Sequence, residues 1–259
     1  MTSCVDDLPT NPTHQDHSIL DKYNSDKEYG LDFIIKEWAL NFTNKIDSNY
    51  QAKINFKIQA SSEKYQLVID NKDFSLGTEI RDSANFSFES SLSHYNKMFR
   101  GEMTALTSMG QANSSDLIPL IPSLNIPITD NILNDFLFFS QRFFNINLYD
   151  KVKLGLENSR MVHGGHAIPI FYQKTEEIGV RSAWYQINKG EQVNEVGDTN
   201  PFPQYFIINT GKGLAKIGKD TIHLNPSEAY YVPPNHDHIF WNEFEEPLIM
   251  IFIAFGEGA

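Results

Sequence analysis

Two pairs of closely spaced histidines are the side chains in this sequence best suited to chemistry. One pair is His236 and His238 in PPNHDHIFWN, and the other is His163 and His166 in RMVHGGHAIP. Imidazole is a common metal ligand, and because it titrates near neutral pH it can also move protons. Each pair therefore indicates either part of a metal or acid–base site, or polar residues at the edge of a folded domain.

The two histidines of the first pair are expected to have different surroundings. His236 follows Pro233-Pro234 and belongs to a turn, which predicts a position at a rim. His238 lies in a strand whose period-two alternation puts Phe240 and Asn242 on its own face. His238 is thus the candidate catalytic residue, either as a general base or as a group that orients a polar ligand. The alternative is a hydrogen-bonded core histidine.

Short β-prone runs make up the sequence from Arg181 onward. They are separated by Gly, Asn and Pro turns and read SAWYQINKG, QYFIINTGKG, AKIGKDTIHL, AYYVPP, HIFWN and PLIMIFIAFG. Many short strands of this kind predict an all-β sandwich or small barrel, of which a jelly roll is one form.

These strands also carry the spacing of a known family. The second sequence motif of the cupins is G-x5-P-x-G-x2-H-x3-N. In this chain Ser227 and Asn235 replace the two glycines, while Pro233, His238 and Asn242 stand at the required positions. Residues from about 180 to 258 therefore resemble a cupin. The resemblance implies a jelly-roll barrel with His238 facing its interior, and a homodimer formed through the barrel.

The first cupin motif, G-x5-H-x-H-x3-4-E-x6-G, fits only at its end, where Gln204 takes the place of the acidic ligand. Both of its histidines are missing. With a three-residue spacer their positions fall on Asp198 and Asn200, and with a four-residue spacer on Gly197 and Thr199. A first-row divalent metal usually needs three or four imidazole or carboxylate donors. We therefore expect no cofactor, the alternative being a divalent metal at the one aligned histidine.

Three further side chains complete the candidate ligand-binding set. Gln204 shares a strand face with Phe206, so its amide is expected to bind a carbonyl or hydroxyl group, unless backbone groups at the barrel mouth satisfy it. His163 and His166 flank a Gly pair that allows close backbone approach. If their segment crosses the barrel mouth, both imidazoles join His238; otherwise they are exposed in a domain linker.

The first half of the chain has a different pattern. Apolar residues at three- and four-residue steps predict a helix within residues 29 to 49, and four β-prone runs follow at 54–60, 65–70, 74–80 and 85–91. We expect these runs to form an antiparallel meander packed on the helix. Two short helices broken near Gly101 come next, which gives an α+β unit.

This order of elements resembles the sterol-carrier-protein family, over residues 30 to 120. The residues that carry the resemblance are YNKMFRGEM at 95–103 and MGQ at 109–111. It implies an apolar tunnel between the helices and the sheet, lined by Phe, Met and Leu side chains. The alternative is that the same side chains fill an ordinary core.

Four segments follow from these patterns. They are a mobile arm at 1–28, a sterol-carrier-like α+β domain at 29–120, a linker with an apolar helix at 121–165, and a cupin β-barrel domain at 166–259. The predicted fold class is therefore an α+β domain followed by an all-β jelly-roll barrel. The single cysteine, Cys4, leaves no basis for disulfide or thiolate chemistry.

Composition restricts the partners. A net charge of −12 and a pI near 5.0 disfavour binding to nucleic acid, which relies on basic side chains. The sequence has no long apolar run and no signal-peptide pattern at its start, so we expect no membrane span and a cytoplasmic location. The expected partner is a small-molecule or apolar ligand.

Three functions remain open at this point. One is that both domains serve as interaction surfaces, with dimerisation through the barrel edges. The second is a two-domain protein that binds small molecules or lipids and has a metal-poor barrel pocket. The third is a cupin-type enzyme, an isomerase, cyclase or oxygenase, that uses His238 as a ligand or general base. The candidate ligand-binding residues in the second and third cases are Asp198, Asn200, Gln204, Phe206, Phe240, Asn242, His163 and His166.

Overall fold

The structure of the protein is a computed structural model that describes residues 27–47, 49–80, 84–111, 115–127, 129–146, 150–174 and 178–259. Nearly all of the arm predicted at 1–28, with Cys4, lies outside the described residues. The described chain forms helices on a five-stranded sheet, followed by sheets of six and four strands. This is the predicted fold class. Among the described residues, no helix has the length and apolar character that crossing a membrane requires.

The first half is built around a mixed sheet. Its strands are β1 (Gln51–Ile58), β2 (Lys64–Asp70), β3 (Asp73–Gly77), β4 (Phe86–Ser90) and β5 (Leu120–Leu124), in the order β3-β2-β1-β4-β5. β1 to β3 form the predicted antiparallel meander, but β4 runs parallel to β1, with Ile54 opposite Phe86. The chain leaves β3 at one edge of the sheet and returns beside β1, which is why the expected antiparallel pairing of β3 with β4 is absent from the described sheet.

Helices cover one face of this sheet. They are α1 (Leu31–Lys45), α2 (Leu92–Phe99), α3 (Ala105–Met109) and α4 (Asp130–Arg142). Between α1, α4 and the sheet lies an aromatic cluster, which consists of Trp38, Phe42, Phe56, Phe88, Phe139, Phe143 and Phe144. The rings of Phe139 and Phe143 stack at 4.4 Å between centroids, and Phe143 lies 5.6 Å from Phe56 of β1. These rings fill the space where the sterol-carrier resemblance implied a tunnel.

The helix predicted as part of a linker, α4, contacts both halves of the chain. Its phenylalanines belong to the aromatic cluster, while Gln141 makes two hydrogen bonds with the backbone of Tyr172 in the second half. The Gln141 Nε2 donates to the Tyr172 carbonyl oxygen at 2.6 Å, and its Oε1 accepts from the Tyr172 amide at 2.9 Å. Helix α4 therefore packs against both halves of the chain. The exact domain boundaries stay predictions.

The second half consists of two facing sheets. Its strands are β6 (Arg160–Val162), β7 (Gly165–Lys174), β8 (Gly179–Ile187), β9 (Gln192–Val193), β10 (Gln204–Thr210), β11 (Gly213–Ile217), β12 (Asp220–Leu224), β13 (Ala229–Val232), β14 (His238–Trp241) and β15 (Leu248–Gly256). One sheet has the order β13-β10-β15-β8-β7-β6 and the other β12-β11-β14-β9. Buried and exposed residues alternate along β10, so the sheets enclose an apolar core as a jelly roll does.

We expect loss of the Phe143 ring to destabilise the first half strongly. Phe143 is fully buried among other aromatic rings, so Phe143→Ala should lower the free energy of unfolding by about 3–5 kcal/mol. Leu40→Ala is the control, because Leu40 lies on α1 with 52% of its surface exposed and should cost about 0.5 kcal/mol or less. Urea unfolding measures the free energy of unfolding of both variants, and an equal decrease in the two would contradict the assignment of the cluster as the core.

Candidate functional site

A cavity of about 410 Å³ lies inside the barrel, between the two sheets. Six of the residues singled out in the sequence line it, and these are His163, Asp198, Asn200, Gln204, Phe206 and His238. A volume of this size falls within the range of small-molecule pockets, about 300–1,000 Å³. The structure thus brings most of the candidate set to one place.

Strand pairing positions the polar side chains on the six-stranded sheet. Gln204 of β10 is in register with Ala254 of β15, and Ala254 is in register with Arg181 of β8. Residues opposite one another on paired strands face the same side, so this row points into the barrel. The next row inward is apolar and contains Phe206 opposite Phe252. The cavity therefore has a polar edge beside an aromatic wall.

His238 faces this row from the opposite sheet. Its side chain is 3% exposed, and burial lowers the pKa of the imidazole, although the His236 carbonyl and nearby Asp198 act in the other direction. Nδ1 lies 3.1 Å from the His236 carbonyl oxygen, and Nε2 lies 3.2 Å from the Asn200 amide nitrogen. In the neutral ring, Nδ1–H donates to the carbonyl and Nε2 accepts from Asn200. The geometry therefore fits a neutral imidazole at neutral pH.

A tight hairpin brings His163 to the cavity. His163 and Gly164 connect β6 to β7 as a two-residue turn, with φ of 53° and 85°, and positive φ at both positions is what a type I′ turn requires. A side chain at Gly164 would place its Cβ 2.1 Å from the Gln192 carbonyl oxygen. The backbone amide of Asn194 donates to the His163 carbonyl, and the side-chain amide of Asn194 donates to the His238 carbonyl. One loop residue thus holds both histidine-bearing segments.

The other candidates lie away from the cavity lining. His166 on β7 has its Nε2 3.4 Å from the Glu191 carboxylate, and His236 is exposed. Phe240 packs on Phe206 in the core, with 4.1 Å between ring centroids. Asn242 donates to the Ile187 and Glu246 carbonyls, which closes the end of its strand. Histidine spacing alone could not separate His163 from His166, because the turn between them sends the two side chains to different surroundings.

Two buried polar groups in the cavity lack hydrogen-bond partners. Across the described residues, six buried side-chain nitrogen or oxygen atoms have none, and three of the six are the Gln204 Oε1, the Gln204 Nε2 and the Arg181 Nε. Gln204 is 1% exposed. Leaving a buried polar group unpaired costs about 1–3 kcal/mol, so these atoms are sites where a ligand or water would gain hydrogen bonds.

Arg181 and Tyr185 were missed by the sequence reading, although both line the cavity. Burial lowers the pKa of the Arg181 guanidinium and raises that of the Tyr185 hydroxyl. Their spacing on β8 was the available signal, because Arg181, Ala183 and Tyr185 alternate along one face of the strand. A charged residue in an inward position of a barrel strand marks a candidate binding group.

The donors around His238 do not fit a divalent metal. In the described part of the chain, no three His, Cys, Asp or Glu side chains are grouped closely enough to hold a metal ion. The His238 Nε2 is bonded to Asn200, and the Asp198 carboxylate accepts the Glu195 amide at 2.8 Å. Tetrahedral or octahedral first-row ions require several converging donors, and this site offers hydrogen-bonding groups in their place.

Comparison with known families agrees with the strand pattern. The family model described as a cupin domain matches residues 183–254. This span runs from β8 to β15 and includes Gln204, Phe206 and His238. A search of the curated proteins found no match to this chain.

Several solved structures are similar to part of this chain. A cupin 2 conserved barrel domain protein from Salinispora arenicola is 18% identical, with a TM-score of 0.36, over 42% of this chain and 89% of its own. A Photorhabdus luminescens protein is 12% identical, with a TM-score of 0.36, over 41% of this chain and 87% of its own. The Cnp3 cupin domain of Schizosaccharomyces pombe is 13% identical, with a TM-score of 0.34, over 40% of this chain and 73% of its own.

We expect Gln204→Leu to stabilise the ligand-free protein. Leucine has a similar volume and removes the unpaired amide, so the free energy of unfolding should rise by about 1–2 kcal/mol. Gln66→Leu is the matched control, since Gln66 is 6% exposed and donates to the Asn55 side chain at 2.9 Å. The free energy of unfolding of this variant should fall by about 1–3 kcal/mol, because the buried Asn55 side chain loses its hydrogen-bond partner. Chemical denaturation compares the two, and similar losses in both variants would show that the Gln204 amide is satisfied.

Proposed function

We propose that this protein binds a small organic molecule in the barrel cavity of about 410 Å³, because residues 183–254 match the family model of a cupin domain. The observation that carries the proposal is the buried Gln204 amide, whose donor and acceptor are both without partners at the cavity wall. A cavity whose polar wall is left unpaired is suited to a ligand that supplies the missing hydrogen bonds.

The cavity walls indicate how such a ligand would be held. The Gln204 amide can donate to one ligand oxygen and accept from a ligand hydroxyl or amine. Phe206 and Phe252, with ring centroids 5.3 Å apart, offer a flat apolar surface for the body of the molecule. The neutral His238 faces them from the other sheet, and its Nε2 becomes an acceptor for the ligand once Asn200 turns away.

Ligand screening by thermal shift tests the proposal. A compound that binds should raise the midpoint of unfolding in the wild type, and the gain in stability is about 2.7 kcal/mol at a hundred times its dissociation constant. Affinity should fall at least tenfold in Gln204→Leu and in His238→Ala. His223→Ala, a change at an exposed histidine on β12, should bind as the wild type does. A compound whose binding is unaffected by both cavity variants would place the site elsewhere.

Catalysis is the second candidate function of the same cavity. The neutral His238 has a lone pair on Nε2, which is the property of a general base at neutral pH. In the ligand-free arrangement that lone pair accepts from Asn200, so a substrate would have to displace this amide. Mass spectrometry of any compound found by the screen distinguishes the functions, because conversion lost in His238→Ala favours the enzyme and an unchanged compound favours binding alone.

We further propose an apolar ligand for a second cavity, of about 370 Å³, between the helices of the first half and β7. Its lining includes Phe99, Met103, Leu106 and Phe144, which fits an apolar guest. The hydroxyl of Ser140 in the same wall is buried without a hydrogen-bond partner. This cavity, rather than the space occupied by the aromatic cluster, is where lipid binding finds support.

A fluorescent fatty acid with a dansyl group tests that second site. We expect it to bind the wild type with enhanced emission, and Leu106→Trp to reduce the affinity at least tenfold, because the larger side chain fills the cavity. Leu117→Trp, at a residue 94% exposed, is the control and should leave binding unchanged. Binding that survives Leu106→Trp would exclude this cavity as the site.

A further inference from the structure

Arg181 is a cationic side chain enclosed by aromatic rings at the cavity wall. Its guanidinium carbon lies 4.4 Å from the ring centroid of Phe202 and 5.8 Å from that of Tyr172. Both rings are close enough to interact with the guanidinium as cation–π partners. These contacts help to hold Arg181 at the cavity wall before a ligand arrives.

No acidic side chain among the described residues forms an ion pair with Arg181. Its Nε is buried without a hydrogen-bond partner, and the two phenols of Tyr172 and Tyr185 are the titratable neighbours that influence its charge. A buried charge without a partner is expensive, and proteins normally pair it or use it. The positive charge of Arg181 is therefore available for an anion.

Register places the unpaired amide of Gln204 across from this charge. Gln204, Ala254 and Arg181 occupy one row on β10, β15 and β8, so the two long side chains flank a single methyl group. Adjacent strands are about 4.8 Å apart, which puts the two flanking Cα atoms at about 10 Å. Arg181 and Gln204 both line the barrel cavity, so a planar three-atom group bound there can reach both side chains.

We propose that Arg181 and Gln204 together bind the carboxylate of a small organic acid in the barrel cavity. This inference rests on the proposed function of the barrel cavity and names its ligand class. Arginine and a carboxylate form paired N–H···O bonds of matching geometry, and the Gln204 Nε2 donates a further bond to the same group. The apolar body of the acid then lies on Phe206 and Phe252, in the next row of the sheet.

The acidic residue of the cavity lining favours one orientation of the bound acid. Asp198 is an acidic residue of the lining, and it would repel a second anion. Its Oδ2 accepts the Glu195 amide in the loop before β10, so it belongs to the side of the cavity where His238 lies. The acid therefore directs its carboxylate to the six-stranded sheet and a neutral or hydrogen-bonding end towards His238.

Matched pairs of acids and amides test the assignment. The probes are benzoate, phenylacetate and 3-phenylpropanoate, each with its primary amide of nearly the same shape, measured by isothermal titration calorimetry on the full chain. At least one carboxylate should bind ten times or more tightly than its amide. Arg181→Gln should abolish this preference while the amide still binds, whereas Arg100→Gln, which alters an arginine of the first half that is paired with Glu102, should preserve it.

The outcomes separate this inference from the proposed function. Amides that bind the wild type as tightly as the acids would overturn the carboxylate site and leave small-molecule binding intact. The same holds if none of the six probes binds while a screened compound of other chemistry does. If no compound binds at all, the proposed function fails together with the inference. Should Arg181→Gln fail to fold, the acid-to-amide ratio of the wild type and the effect of Arg181→Lys, which keeps the charge but loses the planar fork, decide the question.

Discussion

The register of β15 between β10 and β8 determines which side chains face the barrel cavity. Because the side-chain period of a strand is two, a shift of β10 and β8 by one residue relative to β15 would turn Gln204 and Arg181 outward and Tyr205 and Ser182 inward. The buried apolar row at Phe206 opposes any such slip, since its exposure would cost several kcal/mol. The apolar packing of the barrel thus fixes the position of the polar groups that could bind a ligand.

The opposite wall of the cavity depends on a short chain of backbone contacts. The hairpin at His163 fits against the Gln192 carbonyl only because Gly164 has no side chain. Asn194, two residues after Gln192, donates hydrogen bonds to the carbonyls of both His163 and His238. Changes in the Asn194 loop would therefore reach the imidazole of His238 through the backbone of that histidine.

Sequence patterns predicted the elements better than their pairing. Alternation and turn residues identified the strands from β8 onward except the two-residue β9, and three- and four-residue steps identified α1 and α4, because burial on one face dictates these periods. The parallel contact of β4 with β1 was not predictable, since it depends on where the chain re-enters the sheet. Motif spacing correctly predicted that His238 and Gln204 share a site. It could not predict that His163 lines the cavity while His166 does not, because that difference depends on how the chain turns between them.

Arg181 shows why a motif aligned to a family gives only part of a site. The cupin motifs directed attention to the positions of metal donors, and in this chain those positions hold Asp198, Asn200 and Gln204, which form hydrogen bonds or remain unpaired. Among the described residues no metal donors converge, so a ligand in this cavity would be held by other fixed charges and hydrogen-bonding groups. Arg181 lies outside both motifs, is the cationic group in the lining, and lies against Phe202 and Tyr172. The barrel thus has the strands that the cupin resemblance implies, whereas the positive charge in its cavity lining comes from a residue that the motifs do not include.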